Sequence, residues 1–247
     1  MFVTKLKNFL NMSKILVTGG SGLVGKHLQK ILPNAFYLSS KDCDLTNITQ
    51  VKWLISSYQP DIVVHLADLF IGPPPPSNFS YGYAKRCLAV QIDAYNKQFG
   101  TKYNYLIPCN LYGDYDNLHN DSKMHFITAL LNKIKNAKDN KLNLLGTGKP
   151  LRQFMYASDL ADIIKLVISN DITENFNVAP DFNYSINEMA KIALEVTEKD
   201  YEIIYDRPDL DGQFRKDVSS KKLLKIFPDF TFTGLKEGLK QVYDKIS

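Results

Sequence analysis

Cysteine is scarce in this chain, with Cys43, Cys87 and Cys109 the three among 247 residues, and no two share a Cys-x-x-Cys spacing. The sequence therefore offers neither a disulfide framework nor a thiolate metal site, and a reduced intracellular setting is expected. The four histidines, His27, His65, His119 and His125, are scattered without zinc spacing, so no metal is expected. No apolar run reaches the length of a membrane span. The opening "MFVTKLKNFLNMSK" has lysines but too short an apolar core for a secretory signal; it reads as an extension before the first strand, with Met12 an alternative start. One-sided charge is lacking too. Thirty basic residues face 26 acidic ones, a net +4 without long single-sign blocks. That excess suits an anionic small molecule and not nucleic acid, which calls for a clustered basic face. The expectation is a cytoplasmic soluble protein with no nucleic-acid and no membrane partner.

What is present is a rhythm of short apolar strands and amphipathic helices. "KILVTGG" is a β-branched run closed by glycines, "SGLVGKHLQKIL" has helical spacing, "AFYLSS" is a strand, "ITQVKWLISSY" a helix and "DIVVHLA" a third strand. Such alternation implies βαβ units and a parallel sheet. "YGYAKRCLAVQIDAYNKQFG" predicts a long helix closed at Gly100 by a left-handed cap. "YNYLIPCNLYG" is the next strand. Beyond it the pattern loosens: a helix in "SKMHFITALLNKIKNA", strands in "KLNLL", "QFMY" and "YEIIYD", and a helix with Ser158 or Asp159 near its N-cap. "SINEMAKIALEVTE" opens with a capping box, Ser185 and Glu188, and two small helices close the chain. The expected fold is α/β, a doubly wound parallel sheet of Rossmann type with a smaller α+β lobe. Residues 13–112, with 153–180 returning, would form the dinucleotide-binding domain, and 113–152 with 181–247 the substrate lobe.

"VTGGSGLVGK" puts Gly19, Gly22 and Gly25 in a G-x-x-G-x-x-G array at the first strand-to-helix turn. Glycines there permit a tight turn, close approach of backbone to pyrophosphate and close packing of helix on strand. The N–H groups opening the helix then hold the phosphate. Gly19, Gly20, Ser21, Gly22, Leu23, Val24 and Gly25 are accordingly the expected cofactor cradle. The second strand ends "LSSKDCDL". A free ribose 2′-hydroxyl usually meets a carboxylate at that strand end, whereas a 2′-phosphate needs a cation and small hydroxyls. Ser39, Ser40 and Lys41 suit the phosphate, so NADP(H) is expected over NAD(H), with Asp44 approaching the adenine.

Tyr81 and Lys85 stand four apart and so share a helix face. With 14 Tyr and 30 Lys+Arg, chance supplies about one such pair, so the spacing alone decides little. Its chemistry is specific. A phenol titrating near ~10 becomes a useful proton donor only beside a cation that favours its ionised form. Lys85 can be that cation and can also bond the nicotinamide ribose, leaving Tyr81 to protonate a carbonyl oxygen.

In this order, "TGGSGLVG" and then Tyr-x-x-x-Lys, the sequence resembles the extended short-chain dehydrogenase/reductase superfamily. "GPPPPSNFSYGYAKR", "IPCNLYGDYDN", "GTGKPLRQF" and "DGQFRK" resemble, within it, the GDP-L-fucose synthase family, over nearly all of residues 14 to 240. The resemblance implies NADPH-dependent 3,5-epimerisation and 4-reduction of GDP-4-keto-6-deoxymannose. It implies that Tyr81 and Lys85 are the reductase pair and that His125, beside the cofactor, exchanges the sugar C3 and C5 protons, a task suited to imidazole. Pro108, Cys109, Asn110 and Leu111 would line the nicotinamide. Lys133, Arg152 and Lys216 would hold the anionic sugar nucleotide, and Leu145 stands where the family usually has tryptophan. A homodimer through a two-helix contact is also implied.

One segment departs from the family. Its residues run up to "HLA" and resume at "GPPPPSNF", so Pro73–Pro76 are family sequence and not an inserted linker. Missing between Ala67 and Gly72 are a helix and a strand, on the order of sixty residues, the scale of a large βαβ crossover. By the resemblance, that strand carries the Ser/Thr that binds the substrate carbonyl and the Cys that partners the histidine, and that helix is half of the dimer contact. Neither Cys87 nor Cys109 replaces the lost Cys by position. The chain thus reads as a GDP-L-fucose synthase homologue with half its site removed. The alternative is a non-catalytic form, a truncated isoform or incomplete gene model, that at most binds nucleotide.

Overall fold

The computed structural model describes residues 13–45, 47–66, 79–116 and 124–246, without the side chains of 79–82, 84 and 85. In chain order the elements are β1 (Ile15–Thr18), α1 (Leu23–Ile31), β2 (Phe36–Leu38), α2 (Ile48–Tyr58), β3 (Ile62–His65), α3 (Phe79–Phe99) and β4 (Leu106–Pro108). Then come β5 (Asn110–Tyr112), α4 (Phe126–Asn136), β6 (Lys141–Leu145), β7 (Leu151–Arg152), β8 (Phe154–Tyr156) and α5 (Ala157–Ser169). β9 (Phe176–Val178), β10 (Tyr184–Ser185), α6 (Ile186–Val196), β11 (Glu202–Asp206), β12 (Arg215–Lys216), α7 (Lys221–Ile226) and α8 (Leu235–Ile246) complete the series. The chain groups into two compact units. One runs to Ile107 and takes in Leu160–Asn175; the other holds Pro108–Asp159 and the residues from Phe176 onward.

In the first unit β1 is the middle of a parallel sheet, flanked by β2 and β3. Its Ile15, Leu16 and Val17 are buried throughout, which is why the run is β-branched and uninterrupted instead of alternating. Leu16, Leu38, Cys43 and Leu54 form the core there, with Tyr58 against them. The Asn47 side chain caps α2 by accepting from the backbone N–H of Thr49 (3.0 Å) and Gln50 (3.2 Å). β3 differs from β1. It is only half-buried along its length, Val63 is 50% exposed, and no strand pairs with its other edge among the described residues. α3 shows Val90, Tyr95 and Phe99 to solvent and ends at Gly100 (φ 64°), the left-handed cap expected from the sequence.

The second unit is built on α4, α6 and α8 around Ile127, Leu131, Ile134, Met189 and Leu239, with Tyr112 and Tyr156 from the parallel pair β5–β8. β6 and β11 run parallel, and β7 lies between β10 and β12. The capping box of α6 is present: Ser185 Oγ accepts from the Glu188 N–H, and the Glu188 carboxylate accepts from the Ser185 N–H. α5 starts directly off β8 at Ala157, one residue before the expected cap. Asp159 is engaged elsewhere, accepting from the N–H (2.9 Å) and hydroxyl (2.6 Å) of Thr233.

Candidate functional site

The glycine turn follows from what a side chain would strike. Gly19 has φ 74°, a left-handed conformation that glycine adopts without strain. A Cβ on Gly25 would lie 2.4 Å from the Gly20 carbonyl oxygen and 2.6 Å from that of Gly19. The first turn of α1 is thus pressed on the loop that precedes it. Gly22 is the N-cap and makes no side-chain bond, so the donors opening the helix are not capped by a side chain. Ser21 is exposed, Leu23 half-buried and Val24 buried. The Gly20 N–H donates to the Leu38 carbonyl at 2.8 Å, which sets the turn beside the end of β2. A dinucleotide's pyrophosphate fits this arrangement, a bare helix start with close backbone approach.

Just beyond β2, Lys41 is exposed, and its backbone N–H donates to Ser39 Oγ at 3.3 Å. Asp42 folds back on Ser39, accepting from its N–H (2.7 Å) and its hydroxyl (2.6 Å). Asp44 is exposed, its N–H bonded to Gln50 at 2.9 Å. Tyr81 and Lys85 lie in the first turns of α3; their side chains fall outside the described residues, as do Pro73–Pro76.

In the second unit, His125 is the N-cap residue of α4. Its Nδ1 lies 2.7 Å from Asp116 Oδ1, and its backbone N–H donates to Asp116 Oδ2 at 3.2 Å. The Asp116 side chain is 1% exposed, the His125 ring 58%. A buried carboxylate therefore orients an accessible imidazole, fixing which ring nitrogen faces solvent. Nothing in the sequence pattern singles out Asp116, nine residues upstream. Tyr156 donates its hydroxyl to Asp114; burial first, and that carboxylate next, push its phenol well above the usual range.

Pro108, Cys109, Asn110 and Leu111 are all half-buried, and the Asn110 amide donates to the Gln153 carbonyl at 2.9 Å. Burial pushes the Cys109 thiol up to about 12. A thiol so placed stays protonated at neutral pH and is a poor base.

The cations expected to hold substrate are positioned by the strands. β7 and β12 are parallel with Arg152 opposite Lys216 in register. The Arg152 guanidinium donates to the carbonyls of Leu151 (2.8 Å), Phe214 (3.4 Å) and Asp211 (3.5 Å), and no carboxylate pairs with it among the described residues. Burial pulls its pKa down while Asp211 pulls the other way. A half-buried guanidinium held by carbonyls, with no carboxylate in direct contact among the described residues, has the chemistry to receive an anion. Lys216 is exposed. Lys133 is exposed on α4 and donates to the Asn143 carbonyl at 3.1 Å, while Leu145, 61% exposed, ends β6. The loop after it is latched: Asp211 accepts from the Thr147 N–H at 2.6 Å and from its hydroxyl at 2.5 Å. Gln153, 3% exposed, completes the support by donating to Pro180 and Val218 and accepting from the Val218 N–H, at 2.8–3.1 Å. Its neighbours in sequence give no signal of that role.

The model of the NAD dependent epimerase/dehydratase family matches residues 15–73 and 70–179. The chain belongs to that family. It lies in the extended short-chain dehydrogenase/reductase superfamily, with GDP-L-fucose synthases among its relatives. The GDP-L-fucose synthase of Dictyostelium discoideum is 31% identical, with 92% of this chain and 93% of that relative covered. A probable GDP-L-fucose synthase of Drosophila melanogaster is 29% identical, with 92% and 95% covered. The crystal structure of a GDP-L-fucose synthetase from Naegleria fowleri bound to NADP superposes with a TM-score of 0.84 at 25% identity, covering 95% of this chain and 94% of that one. The fold is thus of the Rossmann type shared by these epimerases. Two details concern the departure near Gly72. The family model matches in two pieces that meet at residues 70–73. The Dictyostelium discoideum alignment runs over 300 positions, more than the 247 residues of this chain, so a sizeable part of that relative lies opposite gaps. Among the described residues no group of three or more His, Cys, Asp or Glu could hold a metal ion, and no helix is long and apolar enough to cross a membrane.

Proposed function

We propose that this chain is a GDP-L-fucose synthase homologue that takes NADPH and a GDP-4-keto-6-deoxyhexose, and that its 247-residue form binds both ligands but turns them over poorly or not at all. One observation carries the binding half of the reading: the glycine turn, in which a Cβ on Gly25 would meet carbonyl oxygens at 2.4 and 2.6 Å. Residues 13–112 and 153–180 serve the cofactor, and 113–152 with 181–247 the sugar nucleotide. The turn from Gly19 to Gly25 holds the pyrophosphate, and Lys41 faces the 2′-phosphate. When bound, the cofactor supplies hydride. Tyr81, with Lys85 beside it, gives a proton to the sugar carbonyl oxygen. His125, held by Asp116, moves protons at the sugar carbons, and Arg152 with Lys216 fixes the diphosphate. The non-catalytic reading is favoured by the break at residues 70–73 and by the half-exposed β3.

Titration of both dinucleotides is the direct test. NADPH is expected to bind more tightly than NADH, and Lys41→Glu to erase the difference; equal affinities in the unmodified chain would remove the basis for the cofactor assignment. For the substrate side, Arg152→Ala or Lys216→Ala is expected to weaken GDP binding roughly ten- to hundredfold, the worth of a charge-assisted hydrogen bond. NADP⁺ affinity should stay unchanged. Parallel loss of both ligands would mean damaged folding and no substrate role for these cations.

A further inference from the structure

We infer that Asp42 is an internal competitor for the cofactor's 2′-phosphate, so that the dinucleotide preference of this chain is set by Asp42 together with Lys41. The inference rests on the NADP(H) reading above and adds a specificity-determining residue to it. The ribose 2′-position is read at the end of the second strand in folds of this kind. Here that end adjoins the glycine turn through the Gly20-to-Leu38 hydrogen bond of 2.8 Å, so a dinucleotide lying on the turn reaches Ser39 next. Ser39 is a small hydroxyl of the type that would donate to a phosphate, yet both of its donors are engaged. Its N–H goes to Asp42 Oδ2 at 2.7 Å and its hydroxyl to the same oxygen at 2.6 Å. The Lys41 N–H, in turn, donates to Ser39 Oγ at 3.3 Å. An anion already occupies the donor pair that a 2′-phosphate would use.

The carboxylate is charged in that role. The Ser39 hydroxyl, then the Ser39 N–H, and after these Lys41 hold its pKa below the usual range. A 2′-phosphate arriving at Lys41 must therefore either displace Asp42 from Ser39 or lie beside a like charge, and both weaken its binding. A 2′-hydroxyl meets no such repulsion. The turn is thus built to temper a preference that Lys41 alone would make steep.

The experiment compares NADP⁺ and NAD⁺ binding by calorimetry to the full chain and to Asp42→Asn and Asp42→Ala. Asn keeps an acceptor for the Ser39 donors and removes only the charge; Ala removes both. Both variants are expected to tighten NADP⁺ roughly three- to tenfold while NAD⁺ stays within about twofold, the scale of one exposed charge pair. The gain should shrink in high salt. An unchanged NADP⁺ affinity in both variants overturns the inference, and so does an equal gain for both dinucleotides. The ratio of NADP⁺ to NAD⁺ in the unmodified chain bears separately on the cofactor assignment. A chain with no preference of its own that gains one in Asp42→Asn would sink that assignment and keep this inference. Failure of every protein to bind either dinucleotide would overturn both.

Discussion

Given NADPH and GDP-4-keto-6-deoxymannose, the 247-residue chain is expected to make no measurable epimerised product and at most a trace of reduced sugar. A parallel neighbour can be reached only through a crossover of a dozen or more residues. Residues 68–80 cannot supply a helix and a strand in addition. β3, half-buried with its outer edge unpaired among the described residues, is the place where such a strand would lie. If the chain closed the space by pairing, groups beyond it would move by up to a strand spacing, roughly 5 Å. Displacements of ~1 Å can already cost a hundredfold in rate. A lost hydroxyl donor at the carbonyl would cost a further 2.7–4 kcal/mol, roughly, if it acts as an oxyanion donor does. The assay follows GDP-fucose formation together with deuterium exchange at C3 and C5. Grafting in the segment that the Dictyostelium discoideum relative carries opposite the gap should restore both. Turnover by the unmodified chain comparable to that of a full-length relative would show the departure to be harmless.

Gly25→Ala is expected to weaken NADP⁺ binding by roughly five- to 150-fold, the effect of overpacking by 1–3 kcal/mol concentrated where the ligand sits. The added methyl would lie 2.4 Å from the Gly20 oxygen and 2.6 Å from that of Gly19. Both are backbone atoms that cannot rotate away, so α1 must lift off the turn and carry its leading N–H groups with it. GDP binding should be spared. Gly234→Ala is the control: a Cβ there meets nothing within 4 Å, and both ligands should bind as before. Unchanged NADP⁺ affinity in Gly25→Ala would mean that the cradle is an ordinary glycine turn.

Much of this was legible in the sequence because it is local. The first βα turn, the Gly100 cap and the Ser185–Glu188 box each depend on residues within a few positions, a short apolar run closed by glycines marks β1, and helical spacing marks α2 and α6. What was not legible depends on distant partners. β7, β10 and β12 have two residues each, too short for any period, and exist because neighbouring strands pair with them. Asp159 reads as a helix cap but binds Thr233, 74 residues away. Asp116 and Gln153 have no signature, since their partners are fixed by tertiary packing. Ser39 and Lys41 were readable as phosphate ligands; that Asp42 already occupies Ser39 was not.

The return of Leu160–Asn175 to the first unit sets an order on how the chain can be assembled during synthesis. The Asn104 amide donates to the Ile172 carbonyl at 3.1 Å, and the Tyr105 N–H to the Asn175 side chain at 2.9 Å. A ribosome that has released everything through Ile107 has therefore delivered an incomplete half, which must wait while more than fifty further residues emerge. The second unit cannot serve as an independent chaperone in that interval, because it too is unfinished until its own return after Phe176. A nascent chain stalled before Asn175 should be open to protease in both halves, and a messenger cut short anywhere in that stretch yields no free-standing dinucleotide module.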